Sequence, residues 1–353
     1  MKVIFDHSIF LHQKFGGISR YVVNLNNQLN KKKSLTKIFS PITINYYLKQ
    51  TVTNKISYLY ISKIPLFSTK LLFLLNNIFT VIYFYIFRPN FIHISYYNNF
   101  YNYFNIPYVL TVYDLTHEKI KRNTQEFDKK RVLFNAKKIF CISESTKKDL
   151  IKIYKINKNK ITVTHLGTEQ KTVNKTIKKK TILFVGSRSS YKNLKNLLIG
   201  FSYSKFLKKN FKLIIFGEKY FSDEEILLIK RLKIEKNIIF KSGNDNDLKN
   251  CYSRSTLFVF PSKQEGFGLP LLEAMRFGCA VACSNIRVFK EVAGKSCFYF
   301  NPNNPINIKQ IIEKAVKSDL KRKQKIKAGF TLIKNFTWEK CAVKTYKEYL
   351  KII

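Results

Sequence analysis

Two carboxylates that flank a glycine-rich turn have the clearest chemical potential in this sequence. Glu265 and Glu273 have seven residues between them, within the string FPSKQEGFGLPLLEAMRFG at residues 260–278. The apolar run at residues 257–260 is typical of a buried parallel strand. The glycines and proline at 266–270 predict a loop and then a helix, because proline fits a helix's first turn. Free amides at a helix start favour an anion, so the pattern predicts carboxylates that hold sugar or ribose hydroxyls beside a phosphate.

A second group of candidate residues is cationic. Arg188 and Lys192 bracket a turn that begins at Gly186, after the apolar run at 181–185 and before a helical pattern that starts at Leu194. Guanidinium and ammonium groups placed there can neutralise a diphosphate without a metal ion. On charge alone, two solvated bases in a basic chain remain the simpler interpretation.

The order of these patterns indicates an α/β fold with parallel sheets. At 353 residues the chain has room for two domains of ordinary size. Strand–loop–helix units repeat along it, and a polar, lysine-rich stretch at 169–180 interrupts them as a linker would. We therefore predict an N-terminal domain over 1–175, a C-terminal domain over 176–337, and a terminal helix over 338–353 that packs back on the first domain.

Net charge is the most unusual feature of the composition. The 64 basic and 22 acidic residues give +42, which attracts polyanions such as nucleic acid or an anionic membrane. No compact basic helix or RNA-binding aromatic motif is present, so we favour the membrane and predict no specific nucleic-acid partner. A biased genome would also raise the lysine content. The six cysteines lack a zinc-binding spacing and are interpreted as buried reduced thiols of a cytoplasmic protein.

The most apolar stretch covers residues 71–87. Its seventeen residues lie at the lower limit for crossing a bilayer, and a strand-like pattern follows at once. We therefore predict a buried or interfacial helix, whose aromatic residues and basic flanks would suit a membrane surface. The N-terminus is charged within six residues and has no apolar core of the kind found in signal peptides.

The turn between Arg188 and Lys192 and the glycine-rich turn after Glu265 both resemble the donor site of the retaining GT-B glycosyltransferases of family 4, the glycosyl transferases group 1. The string EGFGLPLLEAM at 265–275 carries most of the likeness, which is strong over 181–305. Residues 1–175 match in layout and in Gly16 and Gly17, which begin a helical pattern. The resemblance implies two Rossmann-like domains that face each other across a cleft. It also implies a nucleotide-sugar donor as substrate, with no metal ion and no cofactor.

The resemblance assigns roles to individual residues. Arg188 and Lys192 would be catalytic cations that neutralise the diphosphate, and Glu265 a catalytic carboxylate that holds sugar hydroxyls. Glu273 would bind the ribose hydroxyls, and the amides of 266–269 would assist at the helix start. The donor-binding set is Gly16, Gly17, Gly186, Gly266, Phe267, Gly268, Leu269 and Glu273.

Two places in the sequence limit this transfer of roles. Relatives usually carry a histidine directly before an aspartate where this chain has Tyr113 before Asp114, with His117 further on. We keep these three only as candidate sugar contacts, with packing or loop roles open for Tyr113 and His117. Asp245 and Asp247 could form the metal-binding pair of the other glycosyltransferase architecture, but they open a helical pattern, where an aspartate cap is ordinary.

The predicted function is retaining hexosyl transfer in bacterial surface-polysaccharide synthesis. The string VGSRSSYKN at 185–193 resembles members that use GDP-mannose, which we favour over UDP-sugars. The acceptor would be a saccharide, with a polyprenyl-linked one at the inner face of the plasma membrane as the candidate. Two alternatives stay open, namely a GT-B enzyme that needs no acceptor, such as a nucleotide-sugar epimerase, and a basic nucleic-acid-binding protein. The sequence does not indicate the linkage or the oligomeric state.

Overall fold

The computed structural model describes residues 1–32, 35–50, 58–62, 68–120, 126–170, 176–217 and 219–353. The chain divides into two compact units: unit 1 is Met1–Gly167 with Thr337–Ile353, and unit 2 is Thr168–Phe336.

The first division falls after Gly167 and so precedes the predicted linker boundary at 175. Thr168 and Gln170 lie in unit 2 because hydrogen bonds tie them to the end of that unit. The Thr168 amide donates to the Phe336 carbonyl at 2.9 Å, and the Gln170 side-chain amide donates to the carbonyls of Ile333 and Phe336.

Unit 1 is built on a parallel sheet of six strands in the order β2-β1-β5-β6-β7-β8, with β3 and β4 paired separately. Its central strands are buried on both faces, as expected of a parallel sheet covered by helices. The strands are β1 (Lys2–Phe5), β2 (Leu35–Ile38), β3 (Ile42–Thr43), β4 (Leu59–Tyr60), β5 (Phe91–Ile94), β6 (Tyr108–Val112), β7 (Lys138–Cys141) and β8 (Ile161–Val163).

The helices of unit 1 connect these strands. The second of them begins at Gly17, with Gly16 as its N-cap, and buries Tyr21, Val22, Leu25 and Leu29 on one face. The helices are α1 (Ser8–His12), α2 (Gly17–Asn30), α3 (Tyr46–Gln50), α4 (Thr69–Phe87), α5 (Thr116–Ile120), α6 (Glu126–Asn135) and α7 (Glu144–Tyr154).

Unit 2 contains a second parallel sheet of six strands, in the order β11-β10-β9-β12-β13-β14. Numbered within the unit, this order is 3-2-1-4-5-6, the doubly wound order of a Rossmann fold. Both units are therefore Rossmann-like. The strands are β9 (Lys179–Val185), β10 (Lys212–Phe216), β11 (Ile238–Lys241), β12 (Ser255–Phe260), β13 (Ala280–Ser284) and β14 (Phe298–Phe300).

The helices of unit 2 cover this sheet, and the predicted apolar face of the first one is confirmed. Leu194, Leu197, Leu198 and Phe201 are all buried in a core that strands β9, β10 and β12 share. The helices are α8 (Leu194–Ser202), α9 (Lys205–Asn210), α10 (Asp223–Arg231), α11 (Asp245–Arg254), α12 (Leu269–Arg276), α13 (Arg287–Ala293), α14 (Pro305–Lys317) and α15 (Asp319–Ile333).

The last helix, α16 (Trp338–Tyr349), belongs to unit 1. Trp338 packs on Tyr21 of α2 with ring centroids 6.1 Å apart. Glu348 accepts a hydrogen bond from the Thr162 hydroxyl at 3.0 Å and forms an ion pair with Lys138 at 2.9 Å. The helix is therefore fixed to the sheet of unit 1 by both apolar and charged contacts.

All six cysteines are free and buried, which confirms the interpretation of reduced thiols. Burial raises the pKa of the Cys279 thiol to about 11 and that of Cys341 to about 12, so both are protonated at neutral pH. The cysteines therefore act as small apolar side chains in the two cores.

Candidate functional site

The predicted donor-site residues of unit 2 lie on two loops that the sheet order brings together. Strands β9 and β12 are neighbours in the sheet, yet the chain moves from them in opposite directions, to β10 and to β13. A parallel sheet leaves a crevice at such a switch point, beyond the carboxyl ends of the two strands. The Lys263 amide donates to the Tyr191 carbonyl at 2.8 Å, which joins the two loops directly.

Lys192 and Glu265 form an ion pair across these loops. The Lys192 ammonium nitrogen lies 2.6 Å from a Glu265 carboxylate oxygen, and their side chains are only 14% and 13% exposed. The ammonium also lies 5.3 Å from the Phe260 ring centroid, above the end of β12. Partial burial strengthens such a charge pair, because less water screens it. The structure thus brings together two residues that the sequence separates by 73 positions.

Asn193 holds the two loops at a fixed distance, a role that sequence analysis missed. It is buried in the left-handed backbone region at φ +61°. Its side-chain amide donates to the carbonyls of Pro261 at 3.0 Å and Pro302 at 2.7 Å. Asparagine tolerates this backbone conformation better than most residues, and its position directly after Lys192 was the available signal.

Arg188 is held by unit 2 on the other side of the same turn. Its Nε donates to Glu225 at 2.8 Å, its terminal nitrogen donates to the Tyr220 carbonyl, and its guanidinium lies 5.5 Å from the Phe221 ring centroid. A guanidinium has five N–H donors, so these two bonds use only part of its capacity. Glu225, which positions Arg188, was not found by sequence analysis because it lies 37 residues away.

Gly186 begins the cationic turn in a conformation that other residues rarely adopt. Its φ is +136°, and its amide donates to the Phe216 carbonyl at 3.1 Å. A Cβ at this position would lie 3.9 Å from the side chain of Lys192. Glycine is required here by backbone geometry rather than by crowding, and it places the turn over the end of β9.

Gly268 closes the glycine-rich turn and caps α12. Its φ is +99°, and a Cβ there would come within 2.9 Å of the Phe289 ring and 3.2 Å of Leu271. Both the conformation and the space therefore select glycine. Pro270 occupies the first turn of α12, as predicted. Gly266 and Phe267 are buried in the turn, while Leu269, the first helical residue, is half-buried.

Glu273 lies in the second turn of α12. It is the fifth of the eight residues in that helix. Its carboxylate accepts a hydrogen bond from the Tyr252 hydroxyl at 3.3 Å. The carboxylate is thus positioned by a buried tyrosine of α11, a partner that sequence analysis did not identify.

In unit 1 the candidate donor residues Gly16 and Gly17 begin α2. The Arg20 amide donates to the Gly16 carbonyl at 3.1 Å, and the Ser19 hydroxyl donates to the same carbonyl at 3.1 Å. The predicted strand–Gly-Gly–helix layout is present, with the short α1 inserted before the glycines. A donor contact at this turn stays a prediction.

The three candidate sugar contacts follow β6. Tyr113 is buried against Tyr21 with centroids 5.7 Å apart, and its hydroxyl makes no hydrogen bond to any described residue. Asp114 accepts a hydrogen bond from the Thr116 amide at 2.9 Å, which satisfies a free donor at the start of α5. His117 belongs to α5, but its side chain lies outside the described residues. Sugar contact by these residues stays a prediction.

A buried carboxylate at the end of β1 was missed by the sequence analysis. Asp6 accepts hydrogen bonds from the Ser95 amide and hydroxyl, both at 2.6 Å, from the Ser8 hydroxyl, and from Tyr101 at 3.4 Å. Burial raises the pKa of Asp6, and these hydrogen bonds oppose that shift. An acidic residue directly after an apolar strand was the available signal. The carboxylate joins the loops after β1 and β5.

Asp245 and Asp247 lie in the first turn of α11, as predicted, but neither is the N-cap itself. Asn244 is the N-cap of α11, and its side chain accepts from the Asp247 amide at 3.2 Å. The Asp247 carboxylate in turn accepts from the Asn244 amide at 3.0 Å, which completes a capping box. In the described part of the chain, no three metal-binding side chains cluster together.

Comparison with known families places the chain in one class. Residues 167–331 match the family Glycosyl transferases group 1, and residues 15–170 match Glycosyltransferase Family 4. The two matches together run from residue 15 to residue 331. This chain therefore belongs to the GT-B glycosyltransferases of family 4, as the glycine-rich motif predicted.

Among curated relatives, two mannosyltransferases show partial likeness. The O-antigen chain mannosyltransferase B of Escherichia coli is 27% identical over 233 residues, which is 62% of this chain and 61% of that protein. The O-antigen chain mannosyltransferase RfbU of Salmonella typhimurium is 28% identical over 171 residues, 48% of each chain. The matched region thus spans about three fifths of the first relative and about half of the second.

Solved structures support the fold over the whole chain. A glycosyltransferase from Rickettsia africae has a TM-score of 0.73 and 20% identity, and covers 99% of this chain and 98% of its own. Anabaena HepE, solved with UDP and glucose, has a TM-score of 0.79 and 13% identity, and the match covers 100% of this chain and 99% of the HepE chain. At these identities the likeness concerns architecture, and it confirms the expected GT-B fold of two Rossmann-like domains.

Proposed function

We propose that this protein is a retaining glycosyltransferase that moves a hexose from a nucleotide diphosphate sugar to a saccharide acceptor. The observation that carries the proposal is the Lys192–Glu265 ion pair, which spans the two loops at the switch point of unit 2. Arg188 lies on the same turn as Lys192, and the start of α12 follows Glu265. A cation for phosphate and a carboxylate for hydroxyls therefore share one crevice.

In this proposal Arg188 and Lys192 bind the diphosphate and stabilise its departure. When the bond between C1 of the sugar and the phosphate oxygen breaks, negative charge accumulates on the leaving nucleotide diphosphate. Cationic groups that are already fixed in place stabilise that charge without reorganising at the moment of reaction. Backbone amides at 266–269 add donors at the start of α12. This arrangement requires no metal ion.

Glu265 orients the transferred sugar, and Glu273 holds the ribose. A carboxylate accepts from two neighbouring hydroxyls, which makes it suitable for positioning a pyranose or a ribose ring. The acceptor hydroxyl forms the new bond to C1, and its proton passes to a phosphate oxygen of the leaving group. We assign no covalent nucleophile, in keeping with retention by relatives that lack an established one.

We favour GDP-mannose as the donor. Two curated relatives with partial coverage are named as mannosyltransferases of O-antigen chains, and the string VGSRSSYKN at 185–193 resembles mannose-transferring members. HepE, a fold neighbour with low identity, was solved with UDP, so UDP-sugars form the comparison set.

The proposed acceptor is a polyprenyl-linked saccharide of a bacterial surface polysaccharide. Such an acceptor is available at the cytoplasmic face of the plasma membrane, and a net charge of +42 favours residence at an anionic membrane face. We therefore propose a cytoplasmic protein that binds this face peripherally.

Titration calorimetry with a panel of nucleotide sugars, followed by product analysis, tests this function. We expect GDP-mannose to bind more tightly than GDP-glucose, UDP-glucose or UDP-N-acetylglucosamine, and to bind equally with and without EDTA. Mannose transfer to a polyprenyl-linked saccharide, with an α-linked product, would support the proposal. Conversion of the donor alone to an epimer, tight binding of oligonucleotides without donor binding, or a manganese requirement would each contradict it.

A further inference from the structure

The exposed side of helix α4 is apolar, unlike that of the usual surface helix. The side that faces unit 1 contains Asn76, Asn77 and Thr80, all buried, together with Val81. Between Lys70 and Arg88 the helix carries no charged residue. A soluble surface helix normally turns its apolar side inward and its polar side to water. The exposed apolar residues of α4 are Leu71, Leu74, Ile78, Phe79, Ile82, Tyr85, Ile86 and Phe87.

The inward polar side chains fix this orientation. Asn76 pairs with the backbone of Ile42, accepting from its amide at 2.9 Å and donating to its carbonyl at 2.8 Å. The Asn77 side chain accepts from Asn98 at 2.8 Å. Since these bonds are made inside unit 1, rotating the helix to bury its apolar side would leave buried polar groups without partners. The exposed apolar side is therefore a stable feature of the fold.

Aromatic residues of neighbouring elements lie next to this surface. The Tyr85 hydroxyl donates to the Phe104 carbonyl at 3.3 Å, so the exposed Tyr103 and Phe104 adjoin the carboxyl end of α4. Arg131 lies 5.1 Å from the Tyr103 ring centroid. Large contiguous apolar patches are rare on monomeric soluble proteins and mark interaction sites.

The charge of the sequence segment that contains α4 indicates which partner would cover it. Between Asp6 and Asp114 the sequence contains no acidic residue, and its eleven charged residues are all Lys or Arg. Lys70 and Arg88 stand at the two ends of the helix. Apolar residues with cations at both ends of the helix match an anionic bilayer. Its acyl chains would cover the apolar residues, and its phosphates would pair with the cations. A second copy of this chain would bring the same positive charge and be repelled.

We propose that the outer surface of α4 inserts into the interface of an anionic lipid bilayer, with the helix lying in the membrane plane. By length and composition, α4 is the one helix among the described residues that could cross a membrane. Its bonds to Ile42 and Asn98 instead keep one side against unit 1, so it lies on the bilayer. The inference rests on the peripheral membrane binding proposed above, for which it names the surface, and it does not depend on sugar transfer.

Flotation of the full chain with lipid vesicles tests this, using phosphatidylcholine with and without phosphatidylglycerol. Ile82→Asp/Ile86→Asp places two charges on the outer surface, where these residues are 49% and 67% exposed. Ile306→Asp/Leu320→Asp is the matched control, because those residues of unit 2 are 53% and 69% exposed. We expect the α4 variant to bind phosphatidylglycerol vesicles at least about tenfold more weakly, and the control to bind as the unchanged chain does.

A second variant measures insertion without adding charge. Trp338 is the sole tryptophan and is buried. Phe79→Trp therefore adds one fluorescent probe on α4, and its emission is obtained by comparison with the unchanged chain, which contains Trp338 alone. Lipids brominated on the acyl chain should quench this probe in phosphatidylglycerol vesicles and leave the Trp338 signal of the unchanged chain intact.

Four results would overturn the inference. These are no binding to anionic vesicles, equal binding by the α4 variant, no quenching at position 79, or a dimer that Ile82→Asp/Ile86→Asp dissociates while vesicle binding is unaffected. None of these measurements uses a nucleotide sugar. A negative result for membrane binding would therefore leave the proposed transferase activity standing, and a protein without transferase activity could still bind the membrane through α4.

Discussion

The Lys192 ammonium lies 2.6 Å from the Glu265 carboxylate, although each group is expected to bind a different part of the donor. Arg188 is likewise paired, with Glu225 at 2.8 Å. Both candidate phosphate-binding cations therefore have carboxylate partners. If these cations bind the donor's diphosphate as proposed, the phosphate must share or displace these partners, and carboxylate and phosphate compete for the same cations.

This competition gives Glu265→Ala a distinctive expected result. Turnover should fall by about 10²- to 10³-fold, because a group that positions the reacting sugar is lost. Affinity for the nucleotide diphosphate without its sugar should stay equal or increase, since Lys192 loses its competing carboxylate. Steady-state kinetics and calorimetry with GDP and UDP measure the two effects.

Glu235→Gln is the control for Glu265→Ala, because Glu235 is an exposed carboxylate of unit 2. It should change neither turnover nor diphosphate affinity. Near-normal turnover by Glu265→Ala would remove Glu265 from the site, and a large loss of diphosphate affinity would show that the ion pair maintains the loop rather than competing with phosphate.

The Arg188–Glu225 pair predicts a non-additive double-mutant cycle. Arg188→Ala should weaken donor binding by about 10- to 100-fold, as expected for loss of a charged hydrogen-bonding group. Glu225→Gln should weaken it less, and the double variant should resemble Arg188→Ala alone, because Glu225 acts through Arg188. Arg188→Lys should not restore binding, since a lysine cannot reproduce the planar contacts with Glu225 and Phe221.

Glu225 also completes a capping box with Ser222 at the start of α10, which could affect stability by itself. Ser222→Ala removes the hydroxyl that accepts from the Glu225 amide and leaves the Arg188–Glu225 contact in place. It should lower stability by about 0.5–2 kcal/mol while donor affinity stays unchanged. Equal loss of affinity in Ser222→Ala and Glu225→Gln would assign the effect to the helix cap.

Gly268→Ala should destabilise unit 2 through strain and crowding together. At φ +99° an alanine costs about 1–3 kcal/mol, and its Cβ would approach the Phe289 ring to 2.9 Å. Adding Phe289→Leu to Gly268→Ala should recover the stability lost to crowding, while the stability lost to backbone strain should remain lost. Thermal unfolding of the single and double variants measures both parts, and a Tm unchanged by Gly268→Ala would refute the assigned backbone conformation.

The location of the candidate site was predictable because its main signals are local. Arg188, Lys192 and Glu265 each follow a buried strand and precede a helix, and the ends of parallel strands meet at one edge of the sheet. The glycine-rich string fixed the position of α12. These patterns depend on residues within one strand–loop–helix unit, which the sequence presents together.

The contacts that position those residues could not be predicted because they join distant parts of the chain. Glu225, Tyr252 and Asn193 each position a site residue or loop through contacts that depend on the completed sheet. The orientation of α4 was also not evident, since its apolar residues alone would suit a buried helix. Only the contacts of Asn76 and Asn77 show which side faces inward.

Two buried histidines should make unit 1 less stable as the pH falls below about 6.5. Burial lowers the pKa of His7 and of His93 to about 3. In the unfolded chain each binds a proton near pH 6.5, whereas the native protein leaves both neutral until about pH 3. The contribution of the two histidines to stability is therefore full above about pH 6.5 and decreases towards pH 3, by up to about 1.4 kcal/mol per pH unit for each histidine.

Urea unfolding between pH 7.5 and 5, followed by fluorescence of Trp338 in unit 1, measures this slope. His93→Asn should reduce the dependence of the unfolding free energy on pH by the contribution of one histidine. The unfolded variant has one group fewer to protonate. Thr111→Val is the matched control: it removes the 2.7 Å hydrogen bond to His93 but keeps the imidazole, so it should lower stability and leave the slope intact. An unchanged slope in His93→Asn would mean that His93 takes up its proton in the native protein as readily as in the unfolded chain.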